Sequence, residues 1–168
     1  IKHNFTYIAR DIEGVQTAVE TLNLRSGTCR DYALLMMEGV RSLGIAAHFV
    51  TGYIYDPALD SGYGGGAGTG GEAPAPGLPT PGLPTPGLPT PRLPTQGAGA
   101  THAWCQVYIP GLGWVSFDPT NGRYDSPDLI RIGIARTPDQ ALPLSGRING
   151  DPSTVLGMNV EVTVTRET

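Results

Sequence analysis

The stretch SGTCRDYALLMMEGVRSLG, residues 26–44, decides the fold of this 168-residue chain. Its apolar residues recur at helical spacing on more than one face, which predicts a central, largely buried helix that begins near Cys29. Gly44 is the predicted stop of that helix. A cysteine in the first turn faces unpaired backbone N–H groups, which favour a thiolate and could bind an oxyanion. Cys29 is therefore a candidate nucleophile, although its position alone fits a buried structural cysteine equally well.

The rest of the chain predicts helices first and mostly antiparallel strands afterwards, which is an α+β order. Residues 5–7 predict a short extended piece. Asp11 is predicted to cap a first helix, whose apolar face is formed by Val15, Ala18, Val19 and Leu22. The predicted strands cover residues 45–55, 101–109, 114–118, 129–135 and 158–164.

Residues 56–100 break this pattern, because nearly half of them are glycine or proline. A glycine-rich tract is followed by repeats of Pro-Gly-Leu-Pro-Thr, which favour polyproline II and contain too few large apolar residues for a core. A surface loop can be this long at small cost, since closure entropy rises only logarithmically with length. We therefore expect a single domain, residues 1–168, that carries residues 56–100 as a flexible insertion.

Two residues after this segment could activate Cys29. A hairpin centred on Pro110 would place His102 and Asp118 directly opposite each other on one face, with Cβ atoms ~5 Å apart. Asp118 would then accept the Nδ1–H of the imidazole and leave Nε2 to face Cys29. The same alternation places Cys105 on the other face as a core thiol. An ordinary cross-strand polar pair is the alternative interpretation of His102 and Asp118.

The two tryptophans receive different predictions. Trp104 lies two residues beyond His102 on the same predicted face, so it could wall the site and keep water from the imidazole. Trp114 is predicted to pack in the core.

Composition excludes several classes of protein. A net charge of −4 with 11 scattered basic residues gives no electrostatic footprint for nucleic acid, and no apolar run is long enough to cross a membrane. Histidines and cysteines lack metal-site spacing, so we expect no metal and no cofactor. Two cysteines are too few for a disulfide scaffold, which favours a cytoplasmic location. The chain begins at Ile1, so we expect it to be a piece of a longer or processed protein.

Two further motifs carry little weight. Residues 66–71 fit Gly-x-Gly-x-x-Gly, but a glycine tract followed by prolines is the wrong context for a dinucleotide site. Pro-x-x-Pro spacings within the repeat could dock on an aromatic groove of a partner, although Arg92 is the only basic residue there.

Three blocks of this sequence together resemble the transglutaminase-like superfamily. They are residues 27–33 (GTCRDYA) with 41–47 and 52–53, residues 102–104 (HAW), and residues 114–120 (WVSFDPT). Their order gives Cys29, His102 and Asp118 as the catalytic triad. The resemblance covers most of residues 5–122 and is closest to the bacterial Cys-x-Asp-Phe-Ala form, with Tyr32 in place of phenylalanine. It implies a papain-like core, with the nucleophile at the start of a central helix packed on an antiparallel sheet.

The resemblance implies cysteine-dependent acyl transfer on amide or peptide bonds through a thioester, with a protein or peptide as substrate. Animal transglutaminases have a tryptophan upstream of the cysteine that contributes to the oxyanion site, and none precedes Cys29. The second oxyanion donor is therefore unassigned, and calcium-site acids have no counterpart. These departures favour hydrolysis by a peptidase or amidase. Amine transfer, a non-catalytic binding module that retains the fold, and a redox role for Cys29 and Cys105 remain the alternatives.

Overall fold

The computed structural model of the chain describes residues 1–10, 14–60, 95–142, 149–151 and 162–164. Their principal elements are one long helix and an antiparallel sheet. In chain order the elements are β1 (Thr6–Tyr7), α1 (Ala18–Leu24), β2 (Ser26–Gly27), α2 (Cys29–Ser42), β3 (Ala47–Ile54), α3 (Pro57–Asp60), β4 (His102–Ile109), β5 (Gly113–Asp118), β6 (Arg123–Tyr124), β7 (Leu129–Ala135) and a 3-10 helix at Pro138–Ala141.

The predicted central helix is confirmed at both ends. It begins at Cys29 after the extended backbone of Thr28 and ends at Ser42. Gly44 follows in the left-handed region (φ +76°), a conformation that glycine adopts readily. Ala33 and Met37 are completely buried, so the helix packs its small and flexible side chains closely against the sheet.

The first helix differs from its prediction. It starts only at Ala18, because Thr17 and Glu20 form a reciprocal capping box there; Asp11 lies outside the described residues. The predicted apolar face is not buried, since Val19 is 67% and Leu22 is 56% exposed. Thr21 is the buried residue of this helix, and its hydroxyl donates to the Thr17 carbonyl, 3.0 Å away.

The principal sheet is antiparallel throughout, in the order β6-β5-β4-β3-β7. The face that meets α2 is apolar, which confirms the α+β architecture and the packing of the helix that begins at Cys29 on the sheet. Cys105 lies on that face and is completely buried, as predicted for a core thiol. The core cluster contains Cys29, Ala33, Met37, Ala47, Phe49, Ala103, Cys105 and Val107.

The register of the hairpin between β4 and β5 is two residues away from the predicted one. Ile109 pairs with Gly113 and Cys105 pairs with Phe117, so the turn is centred on Gly111 rather than Pro110. Gly111 and Gly113 have φ values of +87° and +83°, which explains why the tight turn forms around them. A shift of two preserves the side-chain faces, but it makes Asp118 a diagonal neighbour of His102 instead of its direct partner.

Both ends of the glycine- and proline-rich segment belong to the described structure. Residues 57–60 form α3, and residues 95–100 form turns that lead into β4. The repeats, the glycine motif at 66–71 and most of the predicted strand at 158–164 lie outside the described residues, and the insertion remains a prediction. Within the part that is described, no helix is both long and apolar enough to cross a bilayer.

Candidate active site

Cys29 is the first residue of α2, and a single residue separates it from the end of β2. Its side chain is 8% exposed and contacts the apolar core. As a first-turn residue, its backbone N–H has no acceptor within the helix. The thiol therefore lies beside a free N–H donor and at the positive end of the helix dipole.

A buried carboxylate fixes the backbone that leads into Cys29. Asp31 Oδ2 accepts hydrogen bonds from Thr28 N (2.7 Å) and Thr28 Oγ1 (3.0 Å). Its Oδ1 accepts hydrogen bonds from Gln16 N (2.7 Å) and from the guanidinium of Arg10 (3.0 Å). Asp31 is completely buried and accepts four hydrogen bonds. It therefore fixes the loop before Cys29 relative to two other segments of the chain.

His102 and Asp118 meet in the interior. Both are about 1% exposed, and His102 Nε2 lies 2.9 Å from Asp118 Oδ2. Asp118 Oδ1 accepts hydrogen bonds from the backbone N–H groups of Thr120 (3.0 Å) and Asn121 (3.2 Å). The amide of Asn121 donates to Oδ2 at 2.8 Å. The carboxylate is thus fully hydrogen bonded and has a fixed orientation.

The orientation of the imidazole is opposite to the predicted one. Nε2 rather than Nδ1 faces Asp118, because a diagonal neighbour reaches the distal end of the ring. Nδ1 is buried and has no hydrogen-bond partner among the described residues, and Cys29 interacts with the imidazole. A nucleophile and its base commonly have such a loose contact before a substrate binds.

The surroundings of His102 and Asp118 favour the protonated form of the histidine. Burial by itself would lower the pKa of His102, but the hydrogen bonds and charges of Asp118 and Cys29 outweigh it and raise that pKa to about 9. Burial opposes ionisation of Asp118 as well, yet the hydrogen bonds and charge from His102 and Asn121 hold its pKa below the usual value. At neutral pH the site therefore contains a charged histidine beside a carboxylate.

The segment 95–100 covers the histidine. A Cβ on Gly97 would lie 2.6 Å from His102 Nδ1, so only a glycine fits there. Asn121 holds this segment in place, since its side chain accepts from Gln96 N (3.0 Å) and donates to Gln96 O (3.1 Å). Asn121 therefore connects Asp118 to the backbone above the imidazole.

The two tryptophans have different environments. Trp104 is completely buried and stacks beside His102, with ring centroids 6.1 Å apart, as expected for a wall of the site. The core prediction for Trp114 was wrong, because it is 46% exposed and stacks on His48 at 4.1 Å. His48 pairs across the strands with Gln106, and the strand register places Trp114 with them on the face of the sheet opposite the core.

A cavity of about 550 Å³ lies along the N-terminal half of α2. Arg30 and Leu34 line it on the helix side, and Asp139 lines it on the other. Cys29, His102 and Asp118 do not line this cavity.

Tyr7 is a site residue that sequence reasoning missed. Its side chain packs against the cluster that contains Cys29 and interacts with the thiol, although Tyr7 was expected only to belong to a short extended piece. Asn121 and Gly97 were also missed. Asn121 directly follows the block at 114–120, and this proximity was the available signal. Tyr7 reaches Cys29 through a long-range contact, and Gly97 stands among other glycines, so neither has a local signature.

The fold and the geometry define the class of protein, a papain-like α+β domain with a cysteine at a helix N-terminus near a histidine and an aspartate. The transglutaminase-like superfamily matches residues 1–119. The chain belongs to that superfamily.

Related proteins span more than this chain. An uncharacterized protein of Mycobacterium leprae is 26% identical over 147 residues, which cover 88% of this chain and 41% of that protein. An uncharacterized protein of Mycobacterium tuberculosis is 29% identical over 165 residues, which cover 95% and 43%. The chain thus spans about two fifths of the length of these curated relatives.

One solved structure has a similar fold. It is a crystal structure from Cytophaga hutchinsonii named "Putative Cysteine Protease", with a TM-score of 0.51 and 24% identity over 83% of this chain and 34% of that one. This likeness concerns the fold.

Proposed function

We propose that this domain catalyses cysteine-dependent acyl transfer from an amide or peptide bond, with Cys29 as nucleophile, His102 as base and acid, and Asp118 as the residue that orients the histidine. The observation that carries the proposal is the chain of contacts from Cys29 through the imidazole to Asp118 Oδ2, 2.9 Å from Nε2. A core thiol would have no need of a buried, charged histidine beside it.

The reaction would run in two halves. The Cys29 thiolate adds to the carbonyl carbon, the tetrahedral oxyanion collapses to a thioester, and His102 Nδ1 protonates the departing amine. Water then attacks the thioester, and the neutral imidazole accepts its proton. Asp118 keeps Nε2 protonated throughout, so Nδ1 is always the nitrogen that exchanges a proton.

We propose water as the acyl acceptor and a protein or peptide as the substrate. The support comes from residues 1–28, which contain no tryptophan, whereas animal transglutaminases have one upstream of the cysteine. An amine acceptor is the alternative activity of the same thioester.

The test is direct detection of the acyl-enzyme. The protein is mixed with p-nitrophenyl acetate and with glutaminyl peptides, and intact mass followed by peptide mapping locates the added acyl group. We expect it on Cys29, with none in Cys29→Ala. Decay in buffer, compared with decay in a primary amine, then separates hydrolysis from amine transfer.

Cys105→Ala is the matched control, since it removes the other thiol from the same core. It should acylate at Cys29 as the unmodified protein does. Acylation at Cys105, or none at Cys29 while Cys29 still alkylates rapidly, would contradict the proposal and favour a binding module.

A further inference from the structure

The backbone of Tyr7 is fixed next to the nucleophile loop. Strand β1 pairs in parallel with β2, so that Tyr7 lies opposite Gly27, two residues before Cys29. Thr6 N donates to the Arg25 carbonyl (2.9 Å), and Ile8 N donates to the Gly27 carbonyl (3.0 Å). These hydrogen bonds on both sides of Tyr7 prevent its Cα from moving independently of the loop.

The ring of Tyr7 is fixed as well. It packs edge-on against Tyr32, one turn into α2, with centroids 6.4 Å apart, and it contacts the core cluster that includes Cys29. Tyr32 in turn donates its hydroxyl to the carbonyl of Thr6. A half-buried ring held in this way keeps its hydroxyl in one place, where it interacts with the Cys29 thiol.

This hydroxyl remains a donor at any working pH. Burial, followed by the charge and hydrogen bond of Cys29, raises the pKa of Tyr7 well above its usual value. Tyr7 therefore does not compete with His102 for the proton of the thiol. It can only supply a hydrogen bond to negative charge that forms at or beside the sulfur.

We propose that the Tyr7 hydroxyl is the second donor of the oxyanion site, acting with the backbone N–H of Cys29, and is a catalytic residue of the acyl transfer. This inference rests on the proposed function. It would supply the second oxyanion donor, which the sequence leaves unassigned.

The chemical step shows why the geometry fits. The Sγ lone pair forms the S–C bond, and the carbonyl π pair moves onto oxygen, so the negative charge moves from sulfur to an oxygen two bonds away. A hydroxyl that binds the thiolate needs only a small reorientation to donate to that oxygen. On collapse the pair returns to the carbonyl, the bond to the leaving group breaks, and an amine takes its proton from His102 Nδ1.

Two reactions at the same sulfur separate this role from a structural one. Iodoacetamide alkylates Cys29 by displacement at a tetrahedral carbon, whereas p-nitrophenyl acetate acylates it through an oxyanion. In Tyr7→Phe we expect acylation to slow by about 10²-fold, the usual effect of losing one oxyanion donor, while alkylation changes by less than about threefold. The readout is the ratio of the two rates.

Tyr108→Phe is the control variant, because it removes the hydroxyl of an exposed tyrosine on β4 and leaves Tyr7 and its contacts with Tyr32 intact. Its acylation-to-alkylation ratio should stay near that of the unmodified protein. Equal loss of both rates in Tyr7→Phe, or loss of neither, overturns the oxyanion role while the proposed function stands. If the unmodified protein alkylates at Cys29 but never acylates there, the proposed function itself fails, and the role of Tyr7 fails with it.

Discussion

Replacing Asp118 by asparagine removes the negative charge beside His102 and keeps the volume of the side chain nearly constant. The carboxylate accepts from His102 Nε2 through Oδ2, while two backbone N–H groups bind Oδ1. An asparagine that keeps its oxygen on the backbone donors must point its NH₂ at Nε2. Nε2 then has to present a lone pair, so the neutral ring carries its proton on Nδ1 and cannot accept one from Cys29.

The magnitude follows from the pKa of His102, which is about 9 in the intact site. Burial alone would lower that pKa, so without the carboxylate we expect a value at or below ~6.5, a change of roughly 300-fold in the protonation equilibrium. Near neutral pH the imidazolium is then largely lost. Alkylation of Cys29 should slow by at least about tenfold, and acylation by about 10²- to 10⁴-fold.

The assay is alkylation by iodoacetamide from about pH 5 to about pH 10, with each cysteine followed separately by peptide mass spectrometry. Cys105 is an internal reference, because burial raises its pKa to about 12 and it should react slowly in every variant. Rapid alkylation of Cys105 would reveal unfolding.

The matched control is Asp125→Asn, the same change of charge at an exposed residue whose positive φ of 44° an asparagine tolerates. It should alkylate at Cys29 like the unmodified protein. If the Asp118→Asn profile at Cys29 coincides with that of Asp125→Asn, the carboxylate does not control the histidine and the reasoning is refuted.

Three further predictions concern the space around two glycines and the pH dependence of stability. Gly52→Ala should lower the free energy of unfolding by about 3 kcal/mol or more, because its Cβ would lie 2.0 Å from the Ile130 carbonyl. Gly39→Ala is the control and should not lower it, because a Cβ at this helix position points into open space. Equal denaturation midpoints for the two variants would contradict the prediction. Gly97→Ala should slow alkylation of Cys29 about tenfold, because the new Cβ would displace His102. Gly99→Ala is the control, since Gly99 has a similar positive φ but a Cβ there would not clash. Equal alkylation rates in the two variants would mean that backbone strain alone causes the effect. The pKa of His102 is higher in the folded than in the unfolded protein, so its stabilising contribution is complete below about pH 6.5 and is lost as pH rises through about 9. Between these pH values the free energy of unfolding should fall by up to about 1.4 kcal/mol per pH unit. A free energy of unfolding that does not change over this range would contradict the raised pKa of His102.

The central helix and the strands could be predicted because their signals are local. The apolar spacing after Cys29, the stop at Gly44 and the alternation in β4 depend only on neighbours in sequence. The hairpin register was missed because a proline and two glycines compete to define the turn. Since the error was two residues, His102 and Asp118 still share a face, although the ring nitrogens are exchanged.

The surroundings of the proposed triad could not be predicted, because they depend on contacts between distant segments. Tyr7 reaches Cys29 only because β1 pairs with β2, and two-residue strands carry no period. Gly97 lies in a glycine-rich segment where nothing distinguishes it from its neighbours. Trp114 was assigned to the core by hydrophobicity, but an aromatic residue beside a polar strand partner can stack and stay partly exposed.

The hydrogen bond between Thr95 N and Asp56 Oδ2, 3.2 Å long, joins the two ends of the stretch that runs from 57 to 94. Asp56 and Thr95 therefore lie side by side in the described structure. Doubling or halving the number of residues between these ends changes the closure free energy by only about 0.6 kcal/mol. For the flexible insertion that the sequence predicts, gain or loss of repeats would therefore cost little, and related genes could differ in length here while the residues around Cys29 stay in register.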